Sequence, residues 1–185
     1  MRSFKGFMSR TVSKMGGLNN YAFIDCQNLR LATITADNPW KIDMKRFRRY
    51  LSEKYRVTQA YCFFGAYDDN ESEMYKAFQE YGYILMFREH SKSLKGRKKG
   101  NVDVDIVFEI MREIIEQVPF DKVILVSGDG DYKRLVDYLI KIGKFEKILL
   151  PNQAFASSLY KQLSSRYYDY IDTPAMRVKL GLIEK

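Results

Sequence analysis

Short runs of β-branched and aromatic residues alternate with amphipathic stretches of helical period along the whole chain, and few architectures accept that order. Residues 21–25 (YAFID), 57–64, 83–87 (YILMF), 122–126 (KVILV) and 147–150 predict five buried strands. Between them, 43–55 places Met44, Phe47, Leu51 and Tyr55 on one helical face, and 71–81 does the same with Met74, Tyr75 and Phe78. Residues 102–118 carry a wide apolar stripe at 104, 107, 108, 111 and 115 that Pro119 stops, and 131–142 is a helix closed by Gly143. After Pro151, residues 155–165 predict a last helix. Strand and helix repeated in this order predict an α/β, Rossmann-like domain: a central parallel sheet of about five strands, with helices on both faces and right-handed crossovers. A chain of 185 residues is of single-domain size. The expected division is a basic extension over 1–18, the domain over 19–174 and a tail over 175–185.

Composition narrows the function classes. Hydrophobic residues at 46% and aromatics at 15% exclude a disordered or collagen-like chain. No apolar run has the length of a membrane span, and the first eighteen residues lack the apolar core of a secretory signal, so the expectation is a cytoplasmic protein with no membrane partner. Cys26 and Cys62 end two apolar segments and read as buried free thiols. His90 is the single histidine, which argues against a His-ligated zinc site. The net charge of +8 is local: Arg2, Lys5, Arg10 and Lys14 stand in residues 1–20 without an acid, and residues 88–101 hold six Lys or Arg against Glu89 alone. Charge concentrated in this way is a footprint for a polyanion, although either segment by itself reads equally as solvated chain.

In an open α/β sheet, ligands bind beyond the carboxyl ends of the strands, near the point where strand order reverses. Asp25 ends the first strand and Asn28 follows three residues later; Asp129 and Asp131 follow the fourth strand. If those strands are neighbours, the carboxylates converge. Val102-Asp103-Val104-Asp105 adds a third acidic source at the start of the long helix. Taken singly, Asp103 and Asp131 read as helix caps and Asp25 as a loop carboxylate. Taken together, mutually repelling acids at one edge imply a cation, and oxygen-only ligands suit Mg²⁺ or Mn²⁺.

The phrases Ile24-Asp25-Cys26-Gln27-Asn28-Leu29, Lys99-Gly100-Asn101-Val102-Asp103-Val104 and Val126-Ser127-Gly128-Asp129-Gly130-Asp131-Tyr132 occur in the order of the three signature motifs of the LabA-like NYN domains. The chain resembles that family, of the PIN-like ribonuclease superfamily, over about residues 20–172. The resemblance implies a PIN-like fold and metal-dependent endoribonuclease chemistry, with acidic ligands matching Asp25, Asp103, Asp129 and Asp131 and the early asparagine matching Asn28. RNA, single-stranded or structured, is the implied substrate, and a homodimer is left open. Two positions depart from the pattern: Glu109 replaces a helical aspartate, and Tyr168 stands before Asp169 where an aspartate precedes the aromatic pair.

On this reading Lys92, Lys95, Arg97, Lys98 and Lys99 meet backbone phosphates, with Tyr67 or Tyr132 offered for stacking. Ser127, also on the RNA side, is expected to fix its loop and not to attack, because no histidine or lysine base accompanies it. Two competing classes remain: an RNA-binding module without catalysis, and a metal-dependent phosphohydrolase of small nucleotides.

Overall fold

The computed structural model describes residues 17–88 and 102–182. In chain order the elements are β1 (Asn20–Asp25), α1 (Cys26–Ile34), α2 (Met44–Tyr55), β2 (Val57–Phe64), α3 (Ser72–Glu80), β3 (Tyr83–Phe87), α4 (Asp103–Ile115), β4 (Val123–Val126), α5 (Lys133–Lys141), β5 (Phe145–Leu150), β6 (Tyr168–Tyr170) and α6 (Pro174–Leu180). The strands form one parallel sheet in the order β3-β2-β1-β4-β5-β6. It has six strands where about five are expected, because β6 is too short to show as a run of its own. No described helix is long and apolar enough to cross a membrane.

Alternation along β1 divides the core. Tyr21 and Phe23 face α4 and α5, where they meet Ile106, Ile110, Val136 and Leu139. Ala22 and Ile24 face the other way, toward Leu29 of α1 and Phe47, Leu51 and Tyr55 of α2. Both sheet faces are therefore covered, which is why the central strands read as continuous apolar runs. Order reverses between β1 and β4, which lie side by side with Ile24 opposite Val126. Gly143, at φ 71°, takes the left-handed conformation that follows α5. Cys26 and Cys62 are free and buried.

Two expectations need correcting. The apolar stripe of α4 faces the core only in part: Val107 and Met111 pack against it, Val104, Phe108 and Ile115 are 68%, 64% and 72% exposed, and Ile106 and Ile110 are the fully buried pair. This helix is apolar on both faces, so periodicity alone could not choose between them. Residues 155–165 are not an α-helix. They form a turn and a short 3-10 helix, Ser158–Gln162, capped by Ser157. Residues 175–182, set apart above as a tail, carry most of α6. Leu180 is buried, and its carbonyl accepts from Asp43 N at 2.8 Å.

Asn20 joins the two halves below the switch point. Its side chain is buried, donates to the Tyr55 carbonyl at 2.7 Å and accepts from Lys122 N at 3.1 Å. Asn20→Ala leaves both backbone groups unpaired, and a loss of roughly 2–4 kcal/mol is expected in urea denaturation. A loss below about 0.5 kcal/mol would show that water replaces the side chain there.

Candidate metal centre

β1 runs into α1 without a loop, because Asp25 both ends the strand and caps the helix. Its Oδ1 accepts from Asn28 N at 2.8 Å. Asn28 then reaches across the switch point, where its Oδ1 accepts from Gly128 N at 2.9 Å. Past β4 the loop is fixed from within. Ser127 Oγ accepts from Asp129 N at 3.1 Å, Asp129 Oδ1 accepts from Asp131 N at 3.0 Å, and the Tyr160 hydroxyl donates to the Asp129 carbonyl. Gly130 has no room for a side chain, since a Cβ would stand 2.6 Å from Ser157 Oγ.

The third source is the first turn of α4. Asp103 does not cap that helix; Val102 holds the cap position and no side chain bonds there. Instead the Tyr132 hydroxyl donates to Asp103 Oδ1 at 2.5 Å. One oxygen each from Asp103, Asp129 and Asp131 lies within 4.8 Å of the others, a spacing that one ion can span. Asp25 stands behind them, its Oδ2 3.4 Å from the same phenol. A phenol has one proton, so Asp103 takes the strong bond and Asp25 the weak contact.

Burial dominates the electrostatics. It pushes the Asp25 carboxyl up to about 6; the Asn28 amide opposes the shift, and the charges of Asp103 and Asp129 add to it. Tyr132 is raised for the same reason, with Asp25 and Asp103 as its negative neighbours, and stays a neutral donor. The donors are all hard oxygens, which fits Mg²⁺ or Mn²⁺. Asp103, Asp129 and Asp131 would hold the ion; Asp25 would join them or support them from behind.

Other sequence-predicted residues fall elsewhere. Tyr132, expected as a stacking surface, is fully buried, and so is Ser127, expected beside RNA; both brace the site from inside. Tyr67 is exposed and packs edgewise on Phe87 at 5.2 Å between centroids. Glu109 is buried and ion-paired with Arg112 at 2.5 Å, and Asp169 accepts from Tyr55 at 2.7 Å and Lys54 at 3.1 Å. Lys92, Lys95, Arg97, Lys98 and Lys99 lie outside the described residues. Sequence reasoning missed the turn at 152–157. Asn28, Asp129, Asn152, Phe155 and Ser157 line a depression of about 260 Å³ beside the carboxylates. Asn152 and Ser157 close after Pro151 were the signal that could have marked it.

The model of the family described as NYN domain matches residues 21–171. A curated relative, the Low amplitude and bright protein LabA of Synechococcus elongatus, is 24% identical over 159 residues, covering 81% of this chain and 82% of that protein. Among solved structures, a protein of unknown function from Vibrio parahaemolyticus has a TM-score of 0.69 at 22% identity. The match covers 89% of this chain and 96% of the other, which establishes the fold they share.

The Asp25 shift has a pH signature. Its folded pKa of about 6 lies above the ordinary carboxylate range, so the protonated form favours folding. That contribution is complete below pH ~4 and is lost as pH rises through about 6, on the order of 3 kcal/mol for a shift of this size. Asp25→Asn keeps the oxygen that accepts from Asn28 and has no charge to gain. In chelator, the stability of the variant relative to the parent is therefore expected to rise between about pH 4 and pH 7. A difference independent of pH would place Asp25 in contact with water.

Proposed function

The chain belongs to the NYN domain family, and from that premise we propose that it is a divalent-metal-dependent endoribonuclease that hydrolyses RNA phosphodiester bonds at this aspartate cluster. The observation that carries the reading is the meeting of Asp103, Asp129 and Asp131 in front of Asp25, at the switch point where an α/β sheet binds its ligand. A bound Mg²⁺ or Mn²⁺ would supply Lewis acidity and a water of lowered pKa. The chain's own residues do the rest. Asp103, Asp129 and Asp131 would hold the ion, and Tyr132 holds Asp103 in its orientation. Asp131, the most exposed of the three, would orient the attacking water. Asn28 and Ser127 keep the loop after β4 from spreading as negative charge accumulates. The lysine-rich segment 92–99 would supply affinity for the RNA backbone.

One observation favours a second reading, an RNA-binding domain that does not cut. Glu109, one departure from the motif pattern, and Asp169, which follows the other at Tyr168, are both held by cations, Arg112 and Lys54, and so bring no further charge to the centre.

Asp129→Asn separates the two. It keeps the oxygen that accepts from Asp131 N and removes a metal-binding charge. The expected result is loss of Mn²⁺-dependent cutting of single-stranded RNA, with RNA affinity and stability in chelator retained. Metal at about 100 times its dissociation constant is expected to stabilise the parent by about 2.7 kcal/mol and the variant far less. A parent chain that binds RNA yet shows neither cutting nor metal stabilisation establishes the second reading.

Replacing Lys95, Arg97, Lys98 and Lys99 by alanine tests the grip on phosphate. The slope of log affinity against log salt is expected to fall by about 0.7 for each phosphate that is no longer neutralised. An unchanged slope would show that this segment is solvated connector.

A further inference from the structure

The turn that follows β5 is built more firmly than a connector requires. Asn152 is buried, donates through Nδ2 to the Ala32 carbonyl at 2.9 Å and accepts through Oδ1 from Ala154 N at 2.8 Å. Ala156 N donates to the Asn152 carbonyl at 3.0 Å, and Ser157 N to the Gly128 carbonyl at 3.0 Å. Gln153 N donates to Asp172 Oδ2 at 2.9 Å. The turn is thus tied to α1, to the loop that carries Asp129, and to the segment before α6. At its tip Phe155 is 58% exposed.

That ring separates two depressions. The one beside Asp129 measures about 260 Å³; the other, about 340 Å³, is walled by Asp37, Asn38, Gln153, Asp172 and Arg177. Phe155 and Asn152 line both, so the second continues the first away from the carboxylates. Volumes near 300 Å³ stand at the small end of ligand sites and suit a single ring system.

The chemistry of the second depression excludes phosphate. Arg177 is the one cation among its described lining residues, and it is turned inward: Nε donates to the Asp172 carbonyl at 2.8 Å, a second nitrogen donates to the Asn38 carbonyl, and the guanidinium lies 5.5 Å from the Trp40 ring centre. Asp37 and Asp172 bring two carboxylates, and Asp172 Oδ1 is buried without a hydrogen-bond partner. Acceptors beside an exposed aromatic ring suit the donor edge of a nucleobase. Adenine, cytosine and guanine carry an exocyclic amino group, whereas uracil presents two carbonyls and one N–H.

We propose that Phe155 stacks on an unpaired base of the RNA next to the scissile phosphate, and that the Asp37–Asp172 depression accepts the edge of that base, favouring bases with an amino group, adenine among them, over uracil. The proposal rests on RNA being the ligand of the neighbouring site and is independent of whether that site cuts. A duplex cannot use it, because paired bases expose no face.

The test places a single tryptophan at the turn. Trp40 is the chain's one tryptophan and its indole nitrogen is buried without a partner, so Trp40→Phe gives up no hydrogen bond. Phe155→Trp in that background is titrated with short oligoadenylate and oligouridylate in chelator. Saturable quenching by oligoadenylate is expected, weaker quenching by oligouridylate, and none by duplex or by an abasic ribose-phosphate chain. In the otherwise parental protein, Phe155→Ala is expected to weaken oligoadenylate binding roughly tenfold, as for the removal of one base stack, with Phe155→Tyr restoring it. Parental affinity in Phe155→Ala, or RNA binding without quenching, overturns the subsite while leaving the nuclease reading intact. Quenching in the tryptophan variant of a parent that never cuts does the reverse. A parent that binds no RNA overturns both.

Discussion

Negative charge has to be held at one point of this molecule, and most of its local structure answers that requirement. Asp103, Asp129 and Asp131 meet in front of Asp25, and their mutual repulsion would open the sheet edge if each carboxylate were free to swing outward. Each element is tied down separately. Asp25 is locked by the start of α1, the loop after β4 by Asn28 and Ser127, and Asp103 by the phenol of Tyr132. The ties are backbone amides and a neutral hydroxyl. They orient the oxygens without cancelling their charge, so the charge remains available to a cation.

This arrangement follows from topology. Only at the junction of β1 and β4 do chain directions diverge enough to leave a crevice, and the residues just past those strands occupy it. α4 brings a third chain segment to the same place with its first turn, where the unpaired amides of a helix start favour an acid. The buried network below, from Phe23 through Tyr132 to Tyr160, gives that crevice a rigid floor.

The parts legible in the sequence were those set by short-range pattern. β2 and β3 have the bounds that their apolar runs imply, and the positions of Asp25 and Asp129 after neighbouring strands were readable because strand order follows from handed crossovers. What pattern could not supply was orientation. α4 carries apolar residues on more than one face, so the stripe read from its period included exposed Val104, Phe108 and Ile115 and missed Ile106 and Ile110. Tyr132 looked like a surface aromatic because the 3-10 turn that points it inward is set by Gly130 against Ser157, twenty-seven residues away. β6 has three residues, too few to show a period, and α6 is held by an edge contact between Ile42 and Gly181 that no local signal announces. The turn at Asn152 escaped notice for a related reason: its partners, Ala32, Gly128 and Asp172, are distant in sequence.

On the proposed reading, affinity and orientation fall to different parts of the chain. On that reading, the lysine-rich segment 92–99, which comes shortly before α4 in the sequence, supplies the attraction for a polyanion. Attraction of that kind is long-ranged, falls with salt and does not choose among phosphates. A carboxylate cluster repels those same phosphates until a cation is bound, so the basic segment alone cannot set one phosphodiester in line with the attacking water. A second, uncharged contact can. An aromatic ring on a hydrogen-bonded turn acts at short range, is indifferent to ionic strength and fixes a base, and with it the phosphate attached to that base. On that reading the site draws on a salt-sensitive grip and a salt-insensitive one, and register at the scissile bond depends on the second.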